Sequence, residues 1–347
     1  MLGFTQAEVD QLLDDVYRDY GILPATRQGV QTLIKSHYNG YHFVNPKKGQ
    51  ALYNSTTLMH FLNWFCDFKT IPAQLPGQKL NNQLSWIWRQ TAENPQKSVS
   101  FDQQLTLHNQ ISYRYDLLTE KFDMRQFFRE AYFPISFFYL GMLTKKDHFQ
   151  LKLPNLNLRR IVGECFNEIH QINLSTDYIS IMQRFIFRTD PEELFRGYWV
   201  RVYFPLCGDH LLWMMNENFY RTTLLGLMHS PTVLLIIWNV ERSYPSGKSD
   251  LEFVGKHHTK FAGLRWVIGF NCYTSTEFKE PKRSINAFEL QEEDKDQIAG
   301  YVKGLIKEYP EAQISQFVIY CFGNQGFRVF PVSNTIAGKM ADKAGCN

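Results

Sequence analysis

The stretch that most constrains the fold spans residues 216–273, because it combines one helical pattern with three strand-like runs. Its first part, residues 217–228, carries Phe219 and Leu227 on one apolar helix face. The β-branched apolar run 233–238 that follows has the length of a strand. This order predicts a helix that leads into a sheet.

A turn then presents a carboxylate at the start of the next strand. Residues 243–249 are rich in Ser, Pro and Gly, which favour turns, and Asp250 comes directly before the short run 251–254. The longest strand-like run, residues 264–273, follows after a loop. The sequence therefore predicts an α/β domain with Asp250 at the head of one of its strands.

This order of elements resembles the PD-(D/E)XK nuclease superfamily, in particular the bacterial branch in which the nuclease domain follows an AAA-ATPase-like domain. That branch has a glutamate on the helix, an aspartate at the turn and a strand that ends in Ile-Glu-Phe-Lys. Here Glu217 and Asp250 match, but residues 268–271 read Ile-Gly-Phe-Asn. The resemblance implies a restriction-endonuclease-like domain, with a central mixed sheet flanked by helices, whose catalytic Glu and Lys are replaced by Gly269 and Asn271.

Hydrolysis of a phosphodiester needs a hard divalent cation held by oxygen ligands beside the phosphate. By the resemblance, Asp250 is a remnant metal ligand and Glu217 an accessory one. Gly269 supplies no side-chain ligand, and Asn271 carries no charge to replace the lysine. We therefore expect no cofactor, and Mg²⁺ only if nuclease activity is retained. A turn-capping role for Asp250 and a helix-dipole role for Glu217 remain the structural alternatives.

A displaced copy of the motif leaves open an active enzyme. Glu277-Phe278-Lys279 spells the missing residues eight positions downstream of Gly269. On a continued strand, Glu277 lies about 26 Å further along, at ~3.3 Å per residue. Residues 274–276 are polar, so we favour a charged loop here and keep a nuclease that uses Glu277 and Lys279 as the alternative.

Five side chains are candidates for binding a substrate. Gln297 and Tyr301 resemble a pair that the family carries on a helix beside the site. Lys248, Lys256 and Lys260 make the neighbourhood basic, which suits a phosphate backbone, although a solvated basic rim gives the same pattern. The expected function is binding of DNA or RNA without cleavage.

The N-terminal half resembles the lid part of the AAA-ATPase-like family. Its motifs lie at residues 37–43, 52–62, 138–144 and 154–155. A nucleotide is not expected, because the nearest P-loop lookalike, Gly247-Lys248-Ser249, has Arg242 where the first glycine is required. We predict a helical lid region at 1–195, a degenerate nuclease domain at 196–335 and a tail at 336–347.

Local patterns predict further elements. A capping box at Thr5 and Glu8 predicts a helix over residues 5–20. Strand pieces are expected within residues 101–121. The remaining predictions are helices at 158–169, 175–187 and 291–307, a short helix around 86–88, and a hairpin of strands 316–320 and 327–332.

Composition leaves two function classes open. A net charge of +3 neither demands nor excludes nucleic acid. Six scattered cysteines without Cys-x-x-Cys favour a reducing cytoplasm, and the broken apolar run 224–238 is too short to span a membrane. The second class is a protein-protein interaction module, such as a secreted effector, whose contact surface would include Trp64, Trp86 and Trp88.

Overall fold

The computed structural model describes residues 3–43, 49–72, 101–119, 123–127, 129–172, 176–188, 190–206, 210–232, 236–244, 247–256, 259–274, 277–278 and 282–332. These residues contain twelve α-helices: α1 Gln6–Asp19, α2 Arg27–Tyr38, α3 Ser55–Phe68, α4 Phe101–His108, α5 Tyr115–Thr119, α6 Phe133–Tyr139, α7 Leu156–Ile169, α8 Thr176–Arg188, α9 Pro191–Leu206, α10 Glu217–Thr232, α11 Lys282–Ala287 and α12 Glu292–Glu308.

The described strands form one large sheet and three small ones. The small sheets are the pair β1 Gly3–Phe4 and β2 Tyr53–Asn54, the triplet β3 Gln110–Ser112, β4 Thr144–Lys145 and β5 Gln150–Lys152, and the pair β7 Ser243–Tyr244 and β8 Gly247–Lys248. The large sheet has the order β12-β11-β10-β9-β6 and contains β6 Ile236–Val240, β9 Leu251–Gly255, β10 Leu264–Tyr273, β11 Gln313–Phe322 and β12 Gly326–Pro331.

The chain divides into two units, of which unit 1 comprises Met1–Leu174 and Asn218–Val233. Its first helix begins as the sequence predicts. The side chain of Thr5 accepts a hydrogen bond from the amide of Glu8 at 3.3 Å, and the Glu8 carboxylate accepts one from the amide of Thr5 at 2.7 Å. This capping box satisfies two amides that the helix leaves unpaired, and it confirms the predicted helix.

The N-terminal motifs are close together within unit 1. Gly40 has a φ of +108°, and a Cβ there would lie 1.9 Å from the carbonyl oxygen of Pro154, so only glycine allows this approach. Asn54 and Asn155 cap α3 and α7 through their side-chain oxygens. The motifs thus have structural roles in unit 1, and the assignment of this region as an ATPase lid stays a prediction.

Helix α10 packs tightly on α7 in the same unit. A Cβ on Gly226 would lie 2.4 Å from the carbonyl carbon of Gly163, and a Cβ on Gly163 would lie 2.2 Å from the carbonyl oxygen of Thr222. The side chain of Asn167 donates to the carbonyl of Thr223 at 2.8 Å. The two glycines therefore bring the helix backbones into direct contact, which any larger side chain would prevent.

Unit 2 comprises Ser175–Glu217 and Leu234–Asn347 and contains the five-stranded sheet. The sheet is mixed, because β10 and β11 run parallel and the other neighbours are antiparallel. Helices α8 and α9 cover one face, where Phe185 lies 5.7 Å from Phe253 and Phe195 lies 5.9 Å from Phe270, measured between ring centroids. Helix α12 covers the other face through Ile298. This arrangement confirms the predicted fold class.

Several elements of the structure differ from the predicted ones. Within residues 101–121 a strand piece is confirmed at Gln110–Ser112. Residues 101–108 form a helix instead, because Leu105 is buried in the core of unit 1 and tertiary packing overrides weak local patterns. Helix α10 continues through Pro231 to Thr232, since a proline in the last turn removes few hydrogen bonds. The helix expected around residues 86–88 lies outside the described residues.

The predicted domain boundary between residues 195 and 196 falls inside α9. Unit 2 begins earlier, at residue 175. Almost all of α10 belongs to unit 1, whereas the strands that follow it belong to unit 2. The functional names given to the two domains stay predictions. Among the helices in the described part of the chain, none combines the length and apolar character needed to cross a bilayer.

Candidate functional site

Asp250 lies where β9 begins, and its carboxylate serves the neighbouring strand. Leu251 pairs with Ile268 in the antiparallel register, which places Asp250 opposite Gly269. The Asp250 Oδ2 atom accepts a hydrogen bond of 2.8 Å from the amide of Phe270. Asp250 therefore satisfies a backbone donor of β10. Its expected roles as a metal ligand and as a turn cap both stay predictions.

The position that holds glutamate in the resembling family is occupied by a neighbouring side chain. A Cβ on Gly269 would lie 3.9 Å from Asp250 Oδ2 and 3.1 Å from the Cδ1 atom of Ile298 on α12. A residue at 269 would thus begin beside the carboxylate, but Ile298 fills that space. Asn271 lies two residues further on, opposite Tyr320 of β11, and brings no charge.

Glu217 acts electrostatically on the same end of the sheet. Burial raises the pKa of the Tyr301 phenol, the Asp250 carboxylate raises it further, and Glu217 adds to the effect, while the Gln297 side chain lowers it. Burial also raises the pKa of the Cys272 thiol, and Glu217 and Asp250 contribute in the same direction. The structure therefore brings Glu217, Asp250, Gln297 and Tyr301 to one end of β9 and β10.

A second acidic residue, which the sequence reasoning missed, lies beside Asp250. Glu252 is only 1% exposed and accepts hydrogen bonds from Ser249 Oγ at 2.6 Å and from the hydroxyl of Tyr244, and it pairs with Arg242 at 3.5 Å. Burial raises the pKa of Glu252, and the charge of Arg242 opposes this shift. The signal was the alternation of acidic and apolar residues from Asp250 onward, which places both carboxylates on one strand face.

Helix α12 and the strand pair β7–β8 pack beside this cluster. The ring of Tyr244 stacks on that of Tyr301 at 5.6 Å, and Gly304 allows the contact, since a Cβ there would lie 2.7 Å from Tyr244 Cδ1. Gly247 has a φ of +138°, and its Cα carries no Cβ to meet the Tyr301 hydroxyl. Gly247 and Gly304 therefore allow the strand pair β7–β8 to pack closely against α12.

The displaced motif lies beyond the end of β10. Glu277 is exposed, and its carboxylate accepts hydrogen bonds from the amide and the hydroxyl of Thr274, both at 2.8 Å. The hydrogen bond from the Thr274 amide is the main cause of the lowered pKa of Glu277. Glu277 thus caps the backbone at Thr274. Strand β10 ends before it, at Tyr273, as the apolar run predicts. Lys279 lies outside the described residues.

The three candidate lysines do not come together. Lys248 is exposed and lies two residues before Asp250. Lys256 and Lys260 follow the other end of β9, so Lys256 is about 20 Å from Asp250 at ~3.3 Å per residue. Lys256 is only 2% exposed, and burial lowers its pKa to about 8. Lys260 is exposed. Of the three, only Lys248 is near the Asp250 end.

The residues at this end do not fit a magnesium site of the superfamily type. Oδ2 of Asp250 accepts the Phe270 amide, Gly269 has no side-chain oxygen, and the Cδ1 methyl group of Ile298 lies 3.1 Å from where a Cβ at 269 would be. Within the part of the chain that the structure describes, no three His, Cys, Asp or Glu side chains are grouped to hold a metal ion.

Comparison with known proteins agrees with this location. The model of the PD-(D/E)XK nuclease superfamily matches residues 215–330, about one third of the chain. The match begins just before α10, includes Asp250 and β10, and ends within β12. The chain has no significant match among the curated proteins or the solved structures. The matched segment is therefore similar to nucleases in the region where the site residues lie.

Proposed function

We propose that this chain is a catalytically degenerate relative of the PD-(D/E)XK nucleases that binds nucleic acid without cleaving it. The observation that carries the proposal is the packing at Gly269, where the Ile298 side chain lies 3.1 Å from the position of a missing Cβ. A side chain at this position would therefore require Ile298 to shift. Support for the family comes from the match over residues 215–330.

Loss of cleavage follows from the remaining polar groups at this end. A metal-activated water needs at least one well-placed anionic ligand and a group to stabilise developing charge. Asp250 accepts the Phe270 amide instead, and Asn271 replaces the cation that the family uses. Glu252 is buried and committed to Ser249 and Tyr244, so it does not compensate for the missing glutamate.

Binding of a phosphate backbone requires less than catalysis. Lys248 is exposed beside the Asp250 end, and the exposed amide of Gln297 provides a hydrogen-bond donor on α12. Neither group is buried in the way that Lys256 is. Such a site gives weak, salt-sensitive affinity without sequence specificity, because it contacts phosphates rather than bases.

A salt titration with labelled duplex DNA, single-stranded DNA and RNA tests this proposal. Affinity should fall with salt, and the charge-reversing variant K248E should reduce the log-log slope by about 0.9 on duplex, which is the loss of one phosphate contact. The variant K260E is the matched control, because Lys260 is an equally exposed lysine beyond the opposite end of β9. No measurable binding even at low salt would refute the proposal.

A further inference from the structure

The outer edge of the five-stranded sheet presents unpaired backbone groups. Strand β12 is the terminal strand of the sheet and, among the described strands, pairs only with β11. Just after β12, the amide of Val332 donates to the carbonyl oxygen of Gln316 at 2.9 Å. Because hydrogen-bonded pairs alternate with non-hydrogen-bonded pairs along an antiparallel ladder, the even-numbered residues of β12 direct their amides and carbonyls toward β11. Phe327 and Val329 therefore point theirs away from the sheet. The backbone of Pro331 also points away from the sheet, as expected for a residue without an amide hydrogen.

These outward groups are available to a ligand. Among the described residues, none pairs with the backbone amides and carbonyls of Phe327 and Val329. A free edge of this kind is a template for another extended chain, and proteins usually protect it with charge, proline or a covering element. Here Pro331 protects only the end of the strand.

A cavity of about 530 Å³ runs along this edge. Four consecutive residues of β12, 326–329, line it, which means that the cavity meets the strand edge-on rather than on one face. Its sides are formed by Trp199 and Arg196 of α9 and by Asn286 of α11. The volume lies within the range of about 300–1,000 Å³ that is usual for ligand pockets.

The charge of the cavity indicates the character of the ligand. Arg196 pairs with Glu192, so these two charges cancel. Arg328 donates to the carbonyl oxygens of Ile285, at 3.0 Å, and Asn286, and its guanidinium lies 4.9 Å from the centre of the Phe330 ring. Among the described residues, none of the groups that contact Arg328 is an anion. One positive charge is therefore left for an acidic side chain, and the half-buried rings of Trp199 and Phe327 provide apolar contact.

We propose that the β12 edge binds an extended acidic peptide segment of a protein partner by strand addition. The peptide backbone pairs with the outward groups of Phe327 and Val329, a carboxylate meets Arg328, and an apolar side chain rests on Trp199. Backbone pairing gives affinity in this mode of recognition, and the flanking pockets give specificity. A nucleic acid strand offers phosphates to Arg328 but lacks the alternating amides and carbonyls that the edge presents.

The probe for this site is a fluorescein-labelled octapeptide of alternating valine and glutamate, measured by anisotropy with the full chain. A fully N-methylated peptide of the same sequence keeps the charge and side chains but has no amide donors. It should bind about tenfold more weakly or worse, because more than one hydrogen bond is lost. Equal affinity of the two peptides would overturn the proposal.

Variants of the protein separate the backbone from the charge. V329P removes one outward amide and should weaken the peptide about fivefold, whereas V329A keeps the amide and should bind normally. R328Q should weaken binding about two- to fivefold, and K260Q, at a distant exposed lysine, should have no effect. Normal binding by both V329P and R328Q would place the peptide elsewhere and reject the proposal.

Hydrogen exchange supplies a readout that does not depend on variants. The amides of Phe327 and Val329 should exchange rapidly in the free protein and become protected when the peptide is added. Protection that instead rises with protein concentration alone would show that a second copy of the chain occupies the edge. Displacement of the bound peptide by an oligonucleotide at this edge would show a nucleic acid site. Either result would contradict the proposal.

Discussion

The Asp250 end of the sheet and the β12 edge use their polar groups in opposite ways. At the Asp250 end, the carboxylates of Asp250 and Glu252 accept hydrogen bonds from the protein itself, and Ile298 fills the position beside them. Along β12, the backbone groups of Val329 and its neighbour Phe327 point outward next to a cavity. At the Asp250 end these acceptors are used within the fold, whereas the β12 edge directs backbone donors and acceptors outward.

This difference follows from burial. A buried carboxylate such as that of Glu252 must be hydrogen-bonded or paired, and its partners here belong to the fold. A strand edge at the surface can leave its groups to water until a partner arrives. Changes at Asp250 and Glu252 should therefore alter stability, and changes at the β12 edge should alter binding of a peptide.

The largest effect is expected for E252A. This variant removes the common acceptor of Ser249, Tyr244 and Arg242 in a buried setting, and should lower the free energy of unfolding by about 2–4 kcal/mol. The matched variant E192A removes one partner of an exposed pair at the β12 cavity and should cost less than about 0.5 kcal/mol. Urea unfolding of both variants measures the difference. Equal losses would break the comparison.

A pH-dependent effect is expected at the far end of β9. Burial lowers the pKa of Lys256 to about 8, whereas lysine in an unfolded chain titrates near 10.4. Between these values the unfolded chain binds more protons, so the contribution of Lys256 makes the free energy of unfolding rise as pH increases from about 8 to about 10. K256M should therefore be more stable than the wild type at pH 7, by about 1–3 kcal/mol, and this advantage should shrink toward pH 10.

The control for this effect is K260M, at the exposed lysine four residues later. The difference in free energy of unfolding between K260M and the wild type should be the same at every pH. If the difference for K256M were also the same from pH 7 to pH 10, Lys256 would be solvated in the folded chain.

The smallest effect is expected at Asp250. D250A removes the acceptor of the Phe270 amide and should cost about 1–2 kcal/mol, whereas D250N keeps an oxygen at the site and should cost less. Thermal unfolding with and without magnesium checks both variants. A magnesium-dependent stabilisation of the wild type that D250A abolishes would show that Asp250 is a metal ligand rather than a structural acceptor.

Much of the fold could be predicted from the sequence. The run 264–273 corresponds to β10 residue for residue, and the capping box at Thr5 begins α1 as expected. These elements have strong local signals, namely a mostly apolar run and a reciprocal side-chain cap. The helix at residues 101–108 was missed because its polar composition gave no clear period and packing in unit 1 decides its structure.

The site was predictable in part. The resemblance to the nuclease superfamily implies that Asp250 lies near Gly269, and the antiparallel register of β9 and β10 places the two residues opposite each other. The positions of Lys256 and Lys260 were not, since nearness in sequence to a site says little once a five-residue strand separates the two. The filling of the empty position by Ile298 depends on a helix far along the chain, which no local pattern reveals.

One measurement tests the central claim most directly. Purified full-length protein is incubated with labelled duplex DNA, single-stranded DNA and RNA in the presence of magnesium or manganese, and the products are separated by size. The account predicts no cleavage of any substrate, because Gly269 supplies no ligand and Ile298 fills its space. Cleavage by the wild type that is abolished in E277A or K279A would contradict it and would show that the displaced motif is catalytic.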